Sequence, residues 1–474
     1  MIEKGHEEKT ENMAKKVVII GGGAAGVDVL ELLLRGKEES GDMEITLLKK
    51  EKEGFFSMCG LPYALQGMCS LGVLNQFQPD LYRNRGIDFK TETKATSIDL
   101  KKQSVHLDSG EELSYDYLVI ATGGKPFIPS IPGTDLEGVH TLICSEDGER
   151  ISAALDAGEI SSGLVIGGGM IGLQAAIAFS KRGIKTTVIE RLPSLLPSLL
   201  DADMSSIVKE HLETDIAFIL GRTVNAIRED AIRGDAIKGR RHVGSVVAGG
   251  EEMPADIVLI SAGMRPDIDL ARDAGIDIGK SGGIVTDRAL RAQKGGRYLD
   301  NVFALGDCAE VIDAVTFSPR LSQLASTALI QARVVADNIL GIGSSYDPCL
   351  SPTAASLAGL QVGSVGITTE IARRFGIPVR SGISARFTKA RFFPDKKSII
   401  AKLIFEASSE RLIGAQIISE ETVAGRINEL TLGIKEGITA RDIWMRERCF
   451  DPSLAMVEDV LVDAALRARA NRPH

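Results

Sequence analysis

No two of the six cysteines stand close together. Positions 59, 69, 144, 308, 349 and 449 contain neither a C-x-x-C pair nor a metal-ligand spacing. That scatter excludes a close-spaced dithiol centre, leaves no metal site to expect, and points to a reducing, cytoplasmic setting instead of a disulfide framework. Positive charge is in deficit, with 55 lysines and arginines against 64 aspartates and glutamates and a net charge of −9. Nucleic acid and anionic membranes are thereby disfavoured as main partners. Long apolar runs are missing too. The stretch 27–34 is broken by Asp28 and Glu31, and 192–200 is short and holds two prolines, so neither can span a membrane. The start of the chain lacks a secretory pattern and reads as a charged, disordered tail over 1–14.

What is present is one grammar used twice. Lys16 to Ile20 is a short β-rich run, followed by Gly21-Gly22-Gly23-Ala24-Ala25-Gly26 and a helical pattern through Arg35. Ser162 to Ile166 is followed by Gly167-Gly168-Gly169-Met170-Ile171-Gly172 and a helical pattern through Arg182. Strand, glycine turn and helix in this order form a dinucleotide loop, in which a pyrophosphate sits on the positive helix terminus. Glu190 follows the second loop where a carboxylate accepts hydrogen bonds from a ribose, which favours NADH over NADPH. Lys49 stands at the matching place after the first loop. It can donate to a ribose but not accept, so the adenosine end there must be held differently.

Between the two loops lies Phe55-Phe56-Ser57-Met58-Cys59-Gly60-Leu61-Pro62-Tyr63. Cys59 falls where a short helix should begin, and unpaired backbone N–H groups there are expected to stabilise a thiolate. After residue 345 the pattern turns to short alternating strands, such as 399–405 and 411–418, with helices near 421–436 and 453–468. A length of 474 residues suits about three domains of roughly 150 residues each.

Taken in order, Gly21–Gly26, Cys59–Tyr63, Ala121-Thr122-Gly123, Gly167–Gly172 and Val302–Asp307 resemble the flavin-dependent pyridine nucleotide–disulfide oxidoreductases. The nearest branch is the single-cysteine one: coenzyme A disulfide reductase, NADH oxidase and peroxidase, and NADH persulfide or polysulfide reductase. The resemblance implies an α/β fold of two doubly wound domains, binding FAD and NAD, with a C-terminal α+β dimerisation domain. Its boundaries would be 15–145 and 271–345 for the FAD domain, 146–270 for the NAD domain and 346–474 for the dimerisation domain. FAD would lie on Gly21, Gly23, Ala24, Ala25 and Gly26, near Lys49, with Gly306 and Asp307 at the ribityl chain. Ala121, Thr122 and Gly123 form the crossing between domains. NADH would lie on Gly167, Gly169, Met170, Ile171 and Gly172, with Gln174, Glu190 and Gly263 completing the site. The chain would work as a homodimer.

Departures from the family pattern narrow the branch. The oxidases and peroxidases carry a histidine where this chain has Ala24, so the usual proton donor for oxygen chemistry is missing. The tyrosine pair of the coenzyme A disulfide reductases matches Phe393 (or Phe392) and Phe450, which cannot donate a proton. Their asparagine beside the cysteine is Met58, and their arginine-rich first helix is Val29-Leu30-Glu31-Leu32-Leu33-Leu34. These differences weaken the case for coenzyme A. In dithiol relatives a histidine-before-proline base comes from the partner subunit; here Asp451 before Pro452 takes that register, with Cys449 two residues earlier. Asp451 could handle protons and Cys449 could resolve a mixed disulfide, or both could be plain interface residues. Arg446 and Arg448 could attract an anionic substrate. The expectation is a FAD enzyme moving electrons from NADH through Cys59 to a small sulfur-containing substrate: a persulfide, polysulfide or small disulfide. An NADH oxidase with Cys59 as relay and a non-enzymatic NADH-sensing flavoprotein are the alternatives.

Overall fold

Short apolar runs, each ended by a glycine or a charge, build the first layer. Lys15–Ile20 is buried from Val17 onward and takes Met43–Leu48 and Tyr117–Ile120 as parallel neighbours. Asp88–Lys90 extends the sheet on one side and Arg297–Ala304 on the other, with Arg291–Lys294 antiparallel at the edge. The strand Arg297–Ala304 thus rejoins the first sheet after a whole second unit has intervened. Helices Ala24–Ser40 and Ala325–Ile339 share one core against this sheet through Leu30, Leu33, Ala332 and Val335. The computed structural model describes residues 14–40, 42–230 and 241–470; the tail expected over 1–14 lies, apart from Ala14, outside the described residues.

The second unit holds five parallel strands in the order Val139–His140, Ile257–Ile260, Ser162–Ile166, Lys185–Glu190, Ile216–Leu220. Ile257–Ile260 and Ser162–Ile166 at its middle are buried almost throughout, the mark of a parallel sheet covered on both faces. Met170–Lys181 lies on it with Leu173 and Ala175 to Phe179 buried. The two units are joined by a short antiparallel pair, Gly124–Pro126 with Met264–Pro266.

The C-terminal unit is an antiparallel sheet of Thr353–Leu357, Leu360–Gly366, Leu412–Ser419, Ser398–Glu406 and Val379–Phe387. The alternation expected for its strands holds at the edges, in Thr353–Leu357 and Val379–Phe387, but gives way to burial on both faces in Ser398–Glu406 and Leu412–Ser419, the latter buried at every residue. The reason is that Ile417, Ala415 and Leu403 pack on the helices Val423–Lys435 and Val460–Ala470. Ile418, Leu357, Leu360 and Val362 instead join the core of the second unit. The helix expected from 453 begins only at Val460. Asp451 folds the preceding chain into a turn by accepting from Leu454 and Ala455 on its carbonyl, and the Asp459 carboxylate accepts the Leu461 N–H at 2.9 Å. No helix among the described residues is long and apolar enough to cross a membrane.

Candidate active site

The two glycine loops have the same construction. Gly21 has φ +115°, and a Cβ there would lie 2.0 Å from the Ala121 carbonyl oxygen. Gly167 has φ +116°, and a Cβ there would lie 2.2 Å from the Ser261 oxygen. Only glycine tolerates such a backbone and such an approach. Gly26 and Gly172 come equally close to the carbonyls of Gly21 and Gly167, whereas Gly23 and Gly169 face open space. Each loop therefore offers a cleared approach to the N-terminus of a helix, Ala24–Ser40 or Met170–Lys181. An anionic pyrophosphate is stabilised at such a terminus.

The first loop has further polar groups that fit a flavin. Asp307 lies in the turn Gly306–Cys308, and a Cβ on Gly306 would meet the Ala25 Cβ at 3.1 Å. Burial lifts the Asp307 carboxyl to about 6. The Gly306 N–H donates to Gln331 Oε1 at 2.8 Å, yet Gln331 Nε2, on a fully buried residue, finds no acceptor. Gln323 Nε2, close to Gly124, is likewise without one. A buried amide without a partner is costly, and a polar ligand with acceptor atoms would relieve it. Neither glutamine stands out in the sequence; the one signal is a polar residue inside the otherwise apolar Ala328–Ile339 face.

Thr122 Oγ1 donates to the Asp267 carbonyl at 2.6 Å, and the Asp267 N–H donates to Gly123 O at 2.9 Å. The Gly263 carbonyl accepts from Phe127 at 2.8 Å. These bonds lock the crossing between units. Lys49 is buried under the first loop, with Nζ 3.5 Å from Gly22 O and 3.1 Å from Glu51 Oε2. Lys49 thus does not reach outward. Glu51, which was not singled out in the sequence, brings a carboxylate to the same corner. Glu190 accepts the Gly168 N–H at 2.6 Å and the Leu192 N–H at 2.8 Å. Those contacts fix it beside the second loop while leaving lone pairs for a ribose.

Cys59 sits inside a 3-10 turn, Met58–Gly60, ahead of the helix Leu61–Leu65. Tyr63 on that helix accepts from Gln174 Nε2 at 3.0 Å, which ties the cysteine segment to the helix of the second loop. Asp307 is near enough to act on the thiol electrostatically, which ties the segment to the first loop as well. The thiol is exposed and stands between both dinucleotide loops.

The expected stabilisation of a thiolate by the helix terminus is not found. Partial desolvation pushes the Cys59 thiol up, Asp307 pushes it further, and the residue's own N–H is the smallest influence, in the other direction. A single 3-10 turn offers few aligned N–H groups, and desolvation together with the neighbouring carboxylate outweighs them. Cys449 and Asp451 are both exposed, and no hydrogen bond or ion pair among the described residues joins either to Cys59 of the same chain. Hydrogen bonds from the Ser453 hydroxyl and N–H hold the Asp451 carboxyl below its ordinary range, so it stays ionised near neutrality. Arg448 already pairs with Glu429 at 3.0 Å, and Arg446 with the same residue at 3.8 Å, so neither is a free anion trap. No cluster of metal-ligating side chains occurs among the described residues.

Two glycine loops of dinucleotide-binding form, with an exposed thiol on a segment tied to the second, suit an oxidoreductase. Comparison with known proteins agrees. Residues 15–332 match the pyridine nucleotide-disulphide oxidoreductase family and 354–460 match its dimerisation domain. An NADH oxidase of Methanocaldococcus jannaschii is 34% identical over 95% of this chain and 98% of its own length. A CoA-dependent NAD(P)H sulfur oxidoreductase of Pyrococcus furiosus is 30% identical over 94% and 98%. The structure of an NAD-dependent persulfide reductase from A. fulgidus superposes with a TM-score of 0.89 at 30% identity, covering 96% of this chain and 83% of that one. The chain belongs to the pyridine nucleotide-disulphide oxidoreductases. It is an enzyme with FAD and NAD(P)H as cofactors, two nucleotide-binding domains and a C-terminal dimerisation domain.

Proposed function

We propose that this enzyme is a homodimeric, NADH-preferring reductase of sulfur–sulfur bonds in which Cys59 meets the substrate. The observation that carries this reading is the exposed thiol on a turn tied through Tyr63 and Gln174 to the second-loop helix. Gly21, Gly23, Gly26, Asp307, Gln323 and Gln331 would hold FAD. Gly167, Gly169, Gly172 and Glu190 would hold the nicotinamide dinucleotide. When bound, the two cofactors supply the hydride and the electron pair.

Cys59 does the sulfur chemistry. Its thiolate attacks one sulfur of the substrate, the sulfur–sulfur bond breaks, and the departing thiolate takes a proton. Cys59 is left as half of a new disulfide; two electrons and two protons break that bond, returning Cys59 as a thiol and releasing the bound half of the substrate as a second thiol. Asp451 of a second copy would accept protons and Cys449 of that copy would resolve the mixed disulfide. The ionised state of Asp451 suits a base better than an acid. Exposed Trp444, Met445, Phe450, Leu454 and Val457 in the C-terminal unit support pairing of two copies, since apolar groups so grouped mark an interface. Free cysteines throughout suit a reducing cytoplasm.

Persulfides and polysulfides lead the substrate class, and the Pyrococcus relative's name adds a dependence on CoA. The Methanocaldococcus relative's name favours a second reading, oxygen as acceptor, against which Ala24 offers no proton at the first loop. An anaerobic assay with inorganic polysulfide separates the two. NADH loss in step with sulfide release is expected, and NADH loss only after air is admitted would overturn the proposal. Replacing Glu190 with glutamine removes a charge-assisted acceptor, so the NADH/NADPH ratio of kcat/KM should fall by about tenfold; an unchanged ratio would contradict the assigned role.

A further inference from the structure

Asp201 occupies the N-cap of the helix Ala202–Leu212, yet its carboxylate makes no capping bond to that helix. It points instead into the C-terminal unit. Oδ1 accepts from the Thr369 N–H at 2.9 Å and its hydroxyl at 2.8 Å. Oδ2 accepts from Gln416 Nε2 at 3.0 Å and lies 3.0 Å from Lys402 Nζ. The Asp201 N–H donates back to Gln416 Oε1 at 2.9 Å. Lys402 also reaches both oxygens of Asp203, at 2.8 and 2.7 Å. Asp201, Lys402 and Gln416 are 6%, 6% and 1% exposed, so these three are buried, while the Asp203 side chain is half-exposed at the edge of the cluster. At the other end of the same helix, His211 Nε2 lies 3.1 Å from the Ala358 carbonyl.

The residues just before Asp201 lead directly to the second dinucleotide loop. Leu195, Leu196 and Leu200 are buried. The Leu196 N–H donates to Gly168 O at 2.9 Å, and Leu199 and Leu200 donate to Leu196 O. A Cβ on Gly168 would meet Leu195 Cδ2 at 2.9 Å. Ser205, within the helix, donates to Leu195 O at 2.8 Å. The segment 191–200 is therefore a strap, fixed at one end by Glu190 and at the other by the buried cluster, and pressed on Gly168 between them.

We propose that Lys402 and Asp201 are positioning residues through which the C-terminal unit sets the second loop, and with it the affinity for the nicotinamide dinucleotide. This rests on the reading that the second loop takes NADH. A buried carboxylate that loses its cationic partner must shift or take up a proton. Such a shift passes along the strap to Gly168, whereas the Cys59 turn and the flavin residues lie on other segments.

The test is titration of the flavin-loaded dimer with NAD⁺, which cannot donate a hydride, followed calorimetrically. Lys402→Met is expected to weaken NAD⁺ binding by about tenfold and to raise the KM for NADH in parallel. The kcat at saturating NADH, the flavin content and the KM for polysulfide should stay near those of the parent. Asp203→Asn, which leaves the Asp201 pair intact, should show a smaller shift in the same direction. Unchanged NAD⁺ affinity in Lys402→Met would overturn the proposal, as would loss of flavin and kcat with NAD⁺ affinity retained. If Lys402→Met does not fold, Asp203→Asn decides alone, and unchanged affinity there overturns it. Failure of the parent enzyme to bind NAD⁺ would instead defeat the assignment of the second loop.

Discussion

Replacing Cys59 with serine is expected to lower reduction of polysulfide or a small disulfide by about a thousandfold or more, while NADH-driven reduction of an artificial dye continues. The dye measures what the nucleotide sites do without Cys59. A serine hydroxyl of the same shape cannot form or return a disulfide, so the size of the loss reports the sulfur itself. An enzyme that passes electrons to its acceptor without this thiol would keep its polysulfide rate. The weakened acidity of the thiol adds a signature. Partial burial and Asp307 both disfavour the thiolate, so in the flavin-free protein alkylation of Cys59 should keep rising as pH increases toward the ordinary thiol range. Asp307→Asn removes one of those influences and should move the profile to lower pH. A plateau already reached at neutral pH would contradict this electrostatic picture.

The second large effect comes from two single methyl groups. In Gly167→Ala the new Cβ would lie 2.2 Å from the Ser261 oxygen, at φ +116°. The loop must move, at a cost of about 1–3 kcal/mol for the backbone alone and more for the collision. Dinucleotide affinity is expected to fall by about a hundredfold, with bound flavin retained. Gly21→Ala places a Cβ 2.0 Å from the Ala121 oxygen, and there the flavin should be lost. Absorbance of the purified proteins reads the flavin, and titration with NAD⁺ reads the second loop. Loss of flavin from Gly167→Ala with dinucleotide binding retained would mean that the two loops had been assigned the wrong way round.

Both loops, the lone Cys59, the strand before Asp307 and the change of character after residue 345 were legible in the sequence. Each rests on a local pattern: a glycine spacing, a period of apolar residues, or a residue type at a helix start. Long-range partnerships were not legible. Gln323 and Gln331 become noticeable only when burial leaves their amide nitrogens without acceptors. Glu51 matters only because Lys49 folds under Gly22. Lys402 lies in an apolar strand, and nothing in its neighbours announces a carboxylate arriving from Asp201. The sign of the Cys59 shift was missed for the same reason: the helix start is local, while the burial of the thiol and the approach of Asp307 come from the fold. The late start of the last helix, at Val460, follows from Asp451 and Asp459 taking the backbone into turns that helical periodicity does not register.

The most direct measurement is intact-protein mass spectrometry on the enzyme mixed anaerobically with an excess of a small disulfide, followed by peptide mapping. A disulfide is expected on Cys59, either to one substrate thiol or to Cys449 of a second copy, and added NADH should discharge it and restore the free cysteine. No disulfide at Cys59, or one that survives NADH, would contradict the role given to that sulfur.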